Sequence, residues 1–472
     1  MSDYKALLKH SGNYFFAMVA TKALDFIAIP VYTYLLTVEE YGIYSIFIST
    51  VGIATVILPL NSEVAISRYY FDAKDEKDFK QFVGTSVRLT SLIVMIMAFL
   101  MIIFVKPLSE FQDFEVLLTL SIIPVSLYKI VNSVFQQIYQ PLLQSRKIAV
   151  VSSIQAYLAF ALSIVCIFFL PEKKYYGQVW GTIVAMLIVG SYSVRQIKEY
   201  YLGSWNIEHI KYILSYSLPY LPYSLSGIII AQLGRLIVGK SQGFEAAGVY
   251  SFASNISMAM LVLISVVHSA WNPYYFRYMT DKDYMSVDKD YDIIWRFTLF
   301  CGVGLSLFYY EIGSLAGPKE YISNLYLIPV LVLGYLFYQW SYVYMRNVGF
   351  AKRTIWNAIV VVSSGLVNII LNSVLIESLG VFGIALSFTA SYLTMLLLGG
   401  GLNKYVLRCY APNLRQFITP FIVTFPIIIY AIFDPFSSNA LLSLTIRFLL
   451  FGLVSFILLK KYALKIKKLT SK

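Results

Sequence analysis

Five cations stand inside long apolar runs of this chain: Lys22, Arg88, Lys129, Arg235 and Arg447. A charge at the centre of a membrane helix costs about 2.5–3.5 kcal/mol, so such residues face a cavity or a partner. Lys22 falls near the middle of its run, and Asp25 follows three residues on, on the same helical face. The two either neutralise each other as a structural pair or form a cavity site that binds an anion or exchanges a proton. Lys129 shares its run with Asn132, Gln136 and Gln137, and Gln140 follows, which gives one polar, cavity-lining side. Arg88 lies near the cytoplasmic end of its run, where it lines the cavity or snorkels to headgroups. Arg235, three residues after Gln232, either gates an outer mouth or snorkels, and Arg447 reads as structural or headgroup-binding. The acids are fewer. Glu63 closes one run and, with Arg68, is a candidate inner gate or ion-coupling pair; a plain interfacial acid is the alternative. His268 closes a later run at the corresponding level and reads as structural or as a proton carrier. Pro219 and Pro222 within one run predict a bent helix, a candidate moving element. A path richer in cations than in acids suits an anionic substrate.

The elements that must hold these residues follow from composition. Of 472 residues, 58% are hydrophobic and 13% charged, against about 45–50% and 25% in soluble domains. That excludes an ordinary water-soluble enzyme. With about 20 apolar residues per crossing, the chain reads as an all-α polytopic membrane protein of about 14 transmembrane helices. The expected runs include Tyr41–Glu63, Phe82–Val105, Phe114–Gln137, Tyr212–Ile237, Ala246–His268, Ile293–Ile312 and Tyr321–Tyr344. Charge placement orients them. Outer connections carry only Lys106, Lys173, Lys174, Lys240 and Lys319 of the 37 Lys and Arg; apart from the five intramembrane cations, the rest fall on the other side. Basic residues accumulate in cytoplasmic loops, so both termini are expected in the cytoplasm.

Two short motifs recur at nearly one spacing. Tyr41-Gly42-Ile43-Tyr44-Ser45 matches Ala247-Gly248-Val249-Tyr250-Ser251, 206 residues on, and Tyr176-Gly177-Gln178-Val179-Trp180-Gly181 matches Leu379-Gly380-Val381-Phe382-Gly383 at about 203. Each opens an even-numbered helix, so helices 1–6 repeat as 7–12 in the same orientation, a parallel repeat that places a substrate path between two bundles. The expected organisation is an N-lobe over residues 1–200, a C-lobe over 201–410, and two extra C-terminal helices with a basic cytoplasmic tail over 411–472.

Other chemistries find no footing in the residues. The net charge of +12 would suit nucleic acid in a soluble protein, but here it follows from topology, and no nucleic-acid partner is expected. Cys166, Cys301 and Cys409 are too scattered for disulfides or a metal site. The acidic stretch from Asp281 to Asp292 lacks the turn glycine and closing Glu of a calcium loop and reads as a solvated loop. Phosphate-binding and hydrolase motifs are missing, as is any large outer loop that would carry catalytic groups. The expectation is a transporter with no catalytic residue, metal or cofactor, and membrane lipids as neighbours.

Three stretches carry a family resemblance: Leu36-Thr37-Val38-Glu39-Glu40-Tyr41-Gly42-Ile43-Tyr44-Ser45 with Ala65-Ile66-Ser67-Arg68-Tyr69-Tyr70; Ser217-Leu218-Pro219 leading to Gly248-Val249-Tyr250-Ser251; and Asn368-Ile369-Ile370-Leu371-Asn372 running to Leu379-Gly380-Val381-Phe382-Gly383-Ile384-Ala385. In this order the chain resembles the Wzx-type polysaccharide-biosynthesis flippases of the multidrug/oligosaccharidyl-lipid/polysaccharide exporter superfamily. The resemblance implies two six-helix lobes around a cavity in the bacterial inner membrane. It also implies an undecaprenyl pyrophosphate-linked oligosaccharide moved to the outer leaflet by alternating access for O-antigen, capsule or another surface polysaccharide. Ion-gradient coupling and contacts with a polysaccharide polymerase and a chain-length regulator belong to the same implication. Lys22, Asp25, Arg88, Lys129 and Arg235 would then meet the pyrophosphate or acidic sugars. Within the superfamily, a lipid II flippase and a drug/cation antiporter are the rival readings. A polymerase or ligase is the rival from another class.

Overall fold

The computed structural model describes residues 23–24, 26–203, 205–433, 435 and 440–470. Lys22 and Asp25 lie outside the described residues. Helices account for nearly everything described, and there is no strand among the described residues. The protein is an all-α polytopic membrane protein.

In chain order the helices are α1 (Phe26–Leu35), α2 (Val38–Ile57), α3 (Ala65–Tyr69), α4 (Glu76–Ile103), α5 (Val105–Gln112), α6 (Val116–Tyr139), α7 (Ser145–Phe169), α8 (Tyr175–Lys198), α9 (Ile207–Asp281), α10 (Tyr284–Leu307), α11 (Tyr309–Ala316), α12 (Leu327–Phe350), α13 (Ile355–Leu402), α14 (Leu414–Phe433) and α15 (Ala440–Thr470). Among the described residues, ten helices are long and apolar enough to cross a membrane, or eleven with α10 and α11, which meet at 69°, taken as one. α9 and α13 are too long for a single straight crossing: 75 residues at about 1.5 Å each far exceed a hydrocarbon core of about 30 Å. A single glycine breaks each. Gly243 (φ 88°) interrupts α9 and Gly380 (φ 56°) interrupts α13, both in the left-handed region where a side chain is strained. Pro219 and Pro222 do not interrupt α9; both keep helical dihedrals, and the break falls at Gly243 instead.

The chain divides into two compact units, Met1–Gly248 and Val249–Lys472. The first arm of α9 therefore clusters with the first unit. Within that unit α6 packs against α2 and α8, and α7 pairs with α8. Local sequence sets the helix starts. Thr37 and Glu40 form a reciprocal capping box on α2 (Thr37 N to Glu40 Oε2, 3.0 Å; Glu40 N to Thr37 Oγ1, 3.2 Å). Asp75 caps α4 by accepting from Asp78 N at 2.7 Å. After α2 the chain turns through left-handed Leu60 and Asn61 into a short 3-10 turn, Ser62–Val64. The run expected to continue to Glu63 thus ends six residues earlier, at Ile57.

Glycines set the closest backbone approaches. A Cβ on Gly42 would overlap the Phe244 carbonyl, and one on Gly248 would overlap the Val38 carbonyl. Gly42 and Gly248 are 206 residues apart, and so are Val38 and Phe244. The contact is reciprocal. Gly177 and Gly181 bring the α8 backbone onto α7 at Ile167 and Ser163, and Gly383 brings the second arm of α13 onto the first at Leu375.

In the second unit α12 is the central element, with 89% of its most apolar window buried, packed against α10, α13 and α14. The stretch expected as a solvated acidic loop is mostly helical: α9 runs on to Asp281, Asp283 caps α10 by accepting from Ser286 N (3.1 Å), and Asp292 pairs with Arg296 (2.8 Å). Asp281 and Asp292 each meet an i,i+4 arginine and Asp283 caps α10, whereas Asp290 accepts from Trp271 Nε1 at 3.3 Å.

Candidate functional site

In the first unit the turn after α2 places Glu63 against α6. Its side chain is buried, and Ser133 Oγ donates to Oε1 at 3.2 Å. Lys129 lies one helical turn before Ser133 on the same face of α6. Asn132 stands between them in sequence. Ser62, next to Glu63, bonds Thr90 of α4 at 2.7 Å. Among the described residues Glu63 Oε2, Asn61 Nδ2 and Asn132 Oδ1 are buried without hydrogen-bond partners. Lys129 forms no salt bridge among the described residues. Buried polar atoms left unmatched cost about 1–3 kcal/mol each, so a cluster of them marks a place adapted to a polar ligand, ion or water.

The other cations of this unit are held differently. Arg88 is drawn to the segment before α9: its Nε donates to Tyr201 Oη at 2.6 Å, and its guanidinium lies 5.5 Å from the Tyr201 ring centroid. Arg235 is buried in the first arm of α9, one turn from Gln232, whose Oε1 accepts from Ser49 Oγ of α2 at 3.0 Å. Arg68 pairs with Asp72 at 3.1 Å on the surface, so the structure brings it to that acid and not to Glu63. Pro219 and Pro222 are exposed on α9. Sequence reasoning passed over His209. Its Nε2 lies 3.2 Å from Tyr69 Oη and 3.4 Å from Asp78 Oδ1, while Tyr69 stacks on Phe82 with centroids 3.7 Å apart. This knot fastens α3, α4 and the start of α9.

The second unit holds a cation that sequence reasoning assigned to a loop. Arg346 of α12 is buried, with its guanidinium 4.6 Å from the Tyr342 ring, 5.2 Å from Trp271 and 5.6 Å from Tyr275. Its Nη2 donates to the His268 carbonyl at 3.0 Å. Arg346 Nε and Nη1 have no hydrogen-bond partner among the described residues. His268 is buried, bonds Gln339 Oε1 through Nε2 (2.6 Å) and stacks on Tyr342 at 3.8 Å. The spacing Tyr338–Tyr342–Arg346, one residue per turn of a single helix, was the available signal. Below it Asn347 accepts from Tyr275 Oη and donates to Asn403 Oδ1 (2.7 Å) and the Tyr410 carbonyl (2.9 Å). Arg447 Nη1 meets Glu311 Oε2 (3.0 Å) and the Leu307 carbonyl (3.1 Å), bracing the α10–α11 bend; its role is structural.

Comparison with known proteins gives these groups a context. A family model described as "Polysaccharide biosynthesis protein" matches residues 7–279. "Lsg locus putative protein 1" of Haemophilus influenzae is 22% identical over 385 residues, covering 76% of this chain and 90% of that protein. Among solved structures, "Lipid II flippase MurJ, inward closed conformation" aligns over 97% of this chain and 100% of its own at 15% identity, with a TM-score of 0.73. An inward-facing "multidrug resistance MATE family transporter of the MOP superfamily" aligns over 82% and 94% at 13% identity, with a TM-score of 0.68. At such identities the structural likeness concerns the fold.

Proposed function

Since the chain belongs to the polysaccharide biosynthesis protein family, we propose that it is a flippase for a polyprenyl pyrophosphate-linked oligosaccharide, with undecaprenyl as the carrier. It moves this lipid from the inner to the outer leaflet of a bacterial inner membrane by alternating access, for assembly of a surface polysaccharide such as O-antigen or capsule. It is a transporter and not an enzyme. The family match over residues 7–279 carries the reading, and the fold shared with solved transporters supports it.

The chemistry of the chain fits that cargo. A pyrophosphate is costly to bring into a low-dielectric path unless cations meet it. Lys129, on a helix with an unmatched polar cluster, supplies one such cation, and Lys22, Arg88 and Arg235 are the further candidates. Glu63, opposite Ser133, is the candidate coupling group for an ion gradient, and Asp25 and His268 are the secondary ones. Arg68, Pro219 and Pro222 are assigned to gating. Counting α9 and α13 as two spans each and α10 with α11 as one takes the ten spans to thirteen. The shorter apolar helix α1 (Phe26–Leu35) is the candidate for the fourteenth, with both termini cytoplasmic. The lobes are residues 1–200 and 201–410, followed by the C-terminal pair and basic tail over 411–472. A polymerase and a chain-length regulator are the proposed partners downstream.

The test is a deletion strain in which surface polysaccharide and lipid-linked intermediates are both followed. Loss of surface polymer with intermediates retained in the inner leaflet, restored by the wild-type gene, is the expected result. Unchanged polymer with altered drug tolerance or cell shape contradicts the assignment.

A further inference from the structure

The α7–α8 hairpin differs between its two ends. At one end Gly177 and Gly181 press the α8 backbone onto α7. Toward the other, Val150 and Ile154 of α7 and Ile188 and Tyr192 of α8 are exposed, and with the buried Val151 and Val189 they line a cleft of about 720 Å³. That volume lies in the range of small-molecule sites, about 300–1,000 Å³. Its walls are apolar, yet its mouth is not: Gln144, Arg146 and Lys147 line it at the start of α7. The α7 N-terminus also opens there, and its first N–H groups favour an anion. Lys147 is fixed with its ammonium 4.0 Å from the Tyr139 ring centroid. Among the described residues neither Arg146 nor Lys147 forms a salt bridge. Glu199, the acid whose charge reaches Lys147, is bound instead by Gln196 Nε2 (3.2 Å).

Two cations beside an apolar slot are complementary to a phosphate carrying hydrocarbon chains. Charge alternation along the sequence places this mouth at the cytoplasmic surface, where basic pockets between membrane helices take anionic headgroups. The cleft involves none of the residues assigned to cargo or coupling. We propose that it seats one anionic glycerophospholipid of the cytoplasmic leaflet, with the phosphate against Arg146 and Lys147 and one acyl chain between α7 and α8. The lipid fills the cleft and packs against both helices of the hairpin.

The test uses the purified, delipidated full chain in detergent, titrated with phosphatidylglycerol and with phosphatidylcholine of the same chains, with bound lipid counted by native mass spectrometry. Wild type is expected to hold one phosphatidylglycerol with about 10–30-fold preference over phosphatidylcholine. Arg146→Gln, which alters an exposed side chain, should reduce the preference severalfold, and Arg146→Gln with Lys147→Gln should bring it near parity. Ile154→Trp, filling the slot, should weaken both lipids alike. Equal retention of the two lipids by wild type overturns the proposal without recourse to any variant. So does a preference that survives the double substitution. Displacement of bound phosphatidylglycerol by millimolar inorganic phosphate would identify a phosphate site only, and displacement by an equimolar polyprenyl phosphate would identify a carrier site; either overturns the assignment to a phospholipid.

Discussion

Lys129 and Arg346 show how the same charge serves two ends. Arg346 is caged by three aromatic rings and a carbonyl. Cation–π contacts contribute up to about 2 kcal/mol each when desolvated, and a charged hydrogen bond about 1.5–3. Arg346→Ala should therefore destabilise the protein by about 3 kcal/mol, seen as a lower melting temperature in detergent. Arg346→Lys should recover only part of it, because an ammonium cannot stack as the planar guanidinium does. Lys129 has no such cage. Lys129→Ala should express and melt like wild type, since removing a buried charge relieves desolvation, yet lower polysaccharide export about tenfold or more in the deletion strain, with Lys129→Arg partly active. Normal export by Lys129→Ala would remove it from the cargo path. Glu63→Gln keeps the Ser133 hydrogen bond but cannot ionise. The expected outcome is export, or flipping in vesicles, that no longer responds to an imposed ion gradient. These positions were legible in unequal measure. A lysine in an apolar run announces itself, whereas Arg346 stands four residues before the end of its helix and resembles an ordinary loop cation until Tyr342, Trp271 and Tyr275 are seen around it.

Periodicity located the helices well and their interruptions poorly. The third and fourth expected runs, Phe82–Val105 and Phe114–Gln137, lie within a few residues of the ends of α4 and α6 at most boundaries. The start of α4 at Glu76 is set by the Asp75 cap, a polar signal that hydropathy does not weigh. The tenth run, expected from Tyr321, begins with a 3-10 turn, Lys319–Asn324, ahead of α12. Breaks depend on single backbone angles: Leu60 and Asn61 are left-handed with no glycine to advertise it, while Pro219 and Pro222 keep helical dihedrals and α9 breaks at Gly243. The glycines supply a test of this level. Gly42→Ala would drive a methyl group into the Phe244 carbonyl, a backbone atom that cannot swing aside, so a large loss of folded protein is expected on gel filtration. At Gly243 a Cβ meets nothing within 4 Å; Gly243→Ala meets only the backbone strain of φ 88°, ψ 172°, about 1–3 kcal/mol, and should fold with a lowered melting temperature. If Gly42→Ala were the milder of the two, the close contact of the repeat motifs would lose its support.

At the scale of the whole chain, composition and the order of loose motifs sufficed for fold class and family, because a membrane imposes long apolar helices and a biased loop charge. The identity of the cargo is not written in that pattern, since a pyrophosphate needs only a few cations and the sugars need side chains that serve equally well as interfacial anchors. Orientation can be checked directly. In a background with Cys166, Cys301 and Cys409 replaced by Ser, Lys173→Cys should react with a membrane-impermeant maleimide in intact cells, and Lys282→Cys only after permeabilisation; the reverse pattern would invert the topology. The central claim concerns transport itself. Purified protein would be reconstituted into vesicles carrying a polyprenyl pyrophosphate-linked oligosaccharide labelled on its sugar, and the fraction open to an external glycosidase followed over time. The account predicts that this fraction rises beyond one leaflet's share in vesicles with wild-type protein and stays at that share in protein-free vesicles and with Lys129→Ala. A fraction that stays fixed at one leaflet's share with active, folded wild-type protein, with or without an imposed gradient, would contradict it.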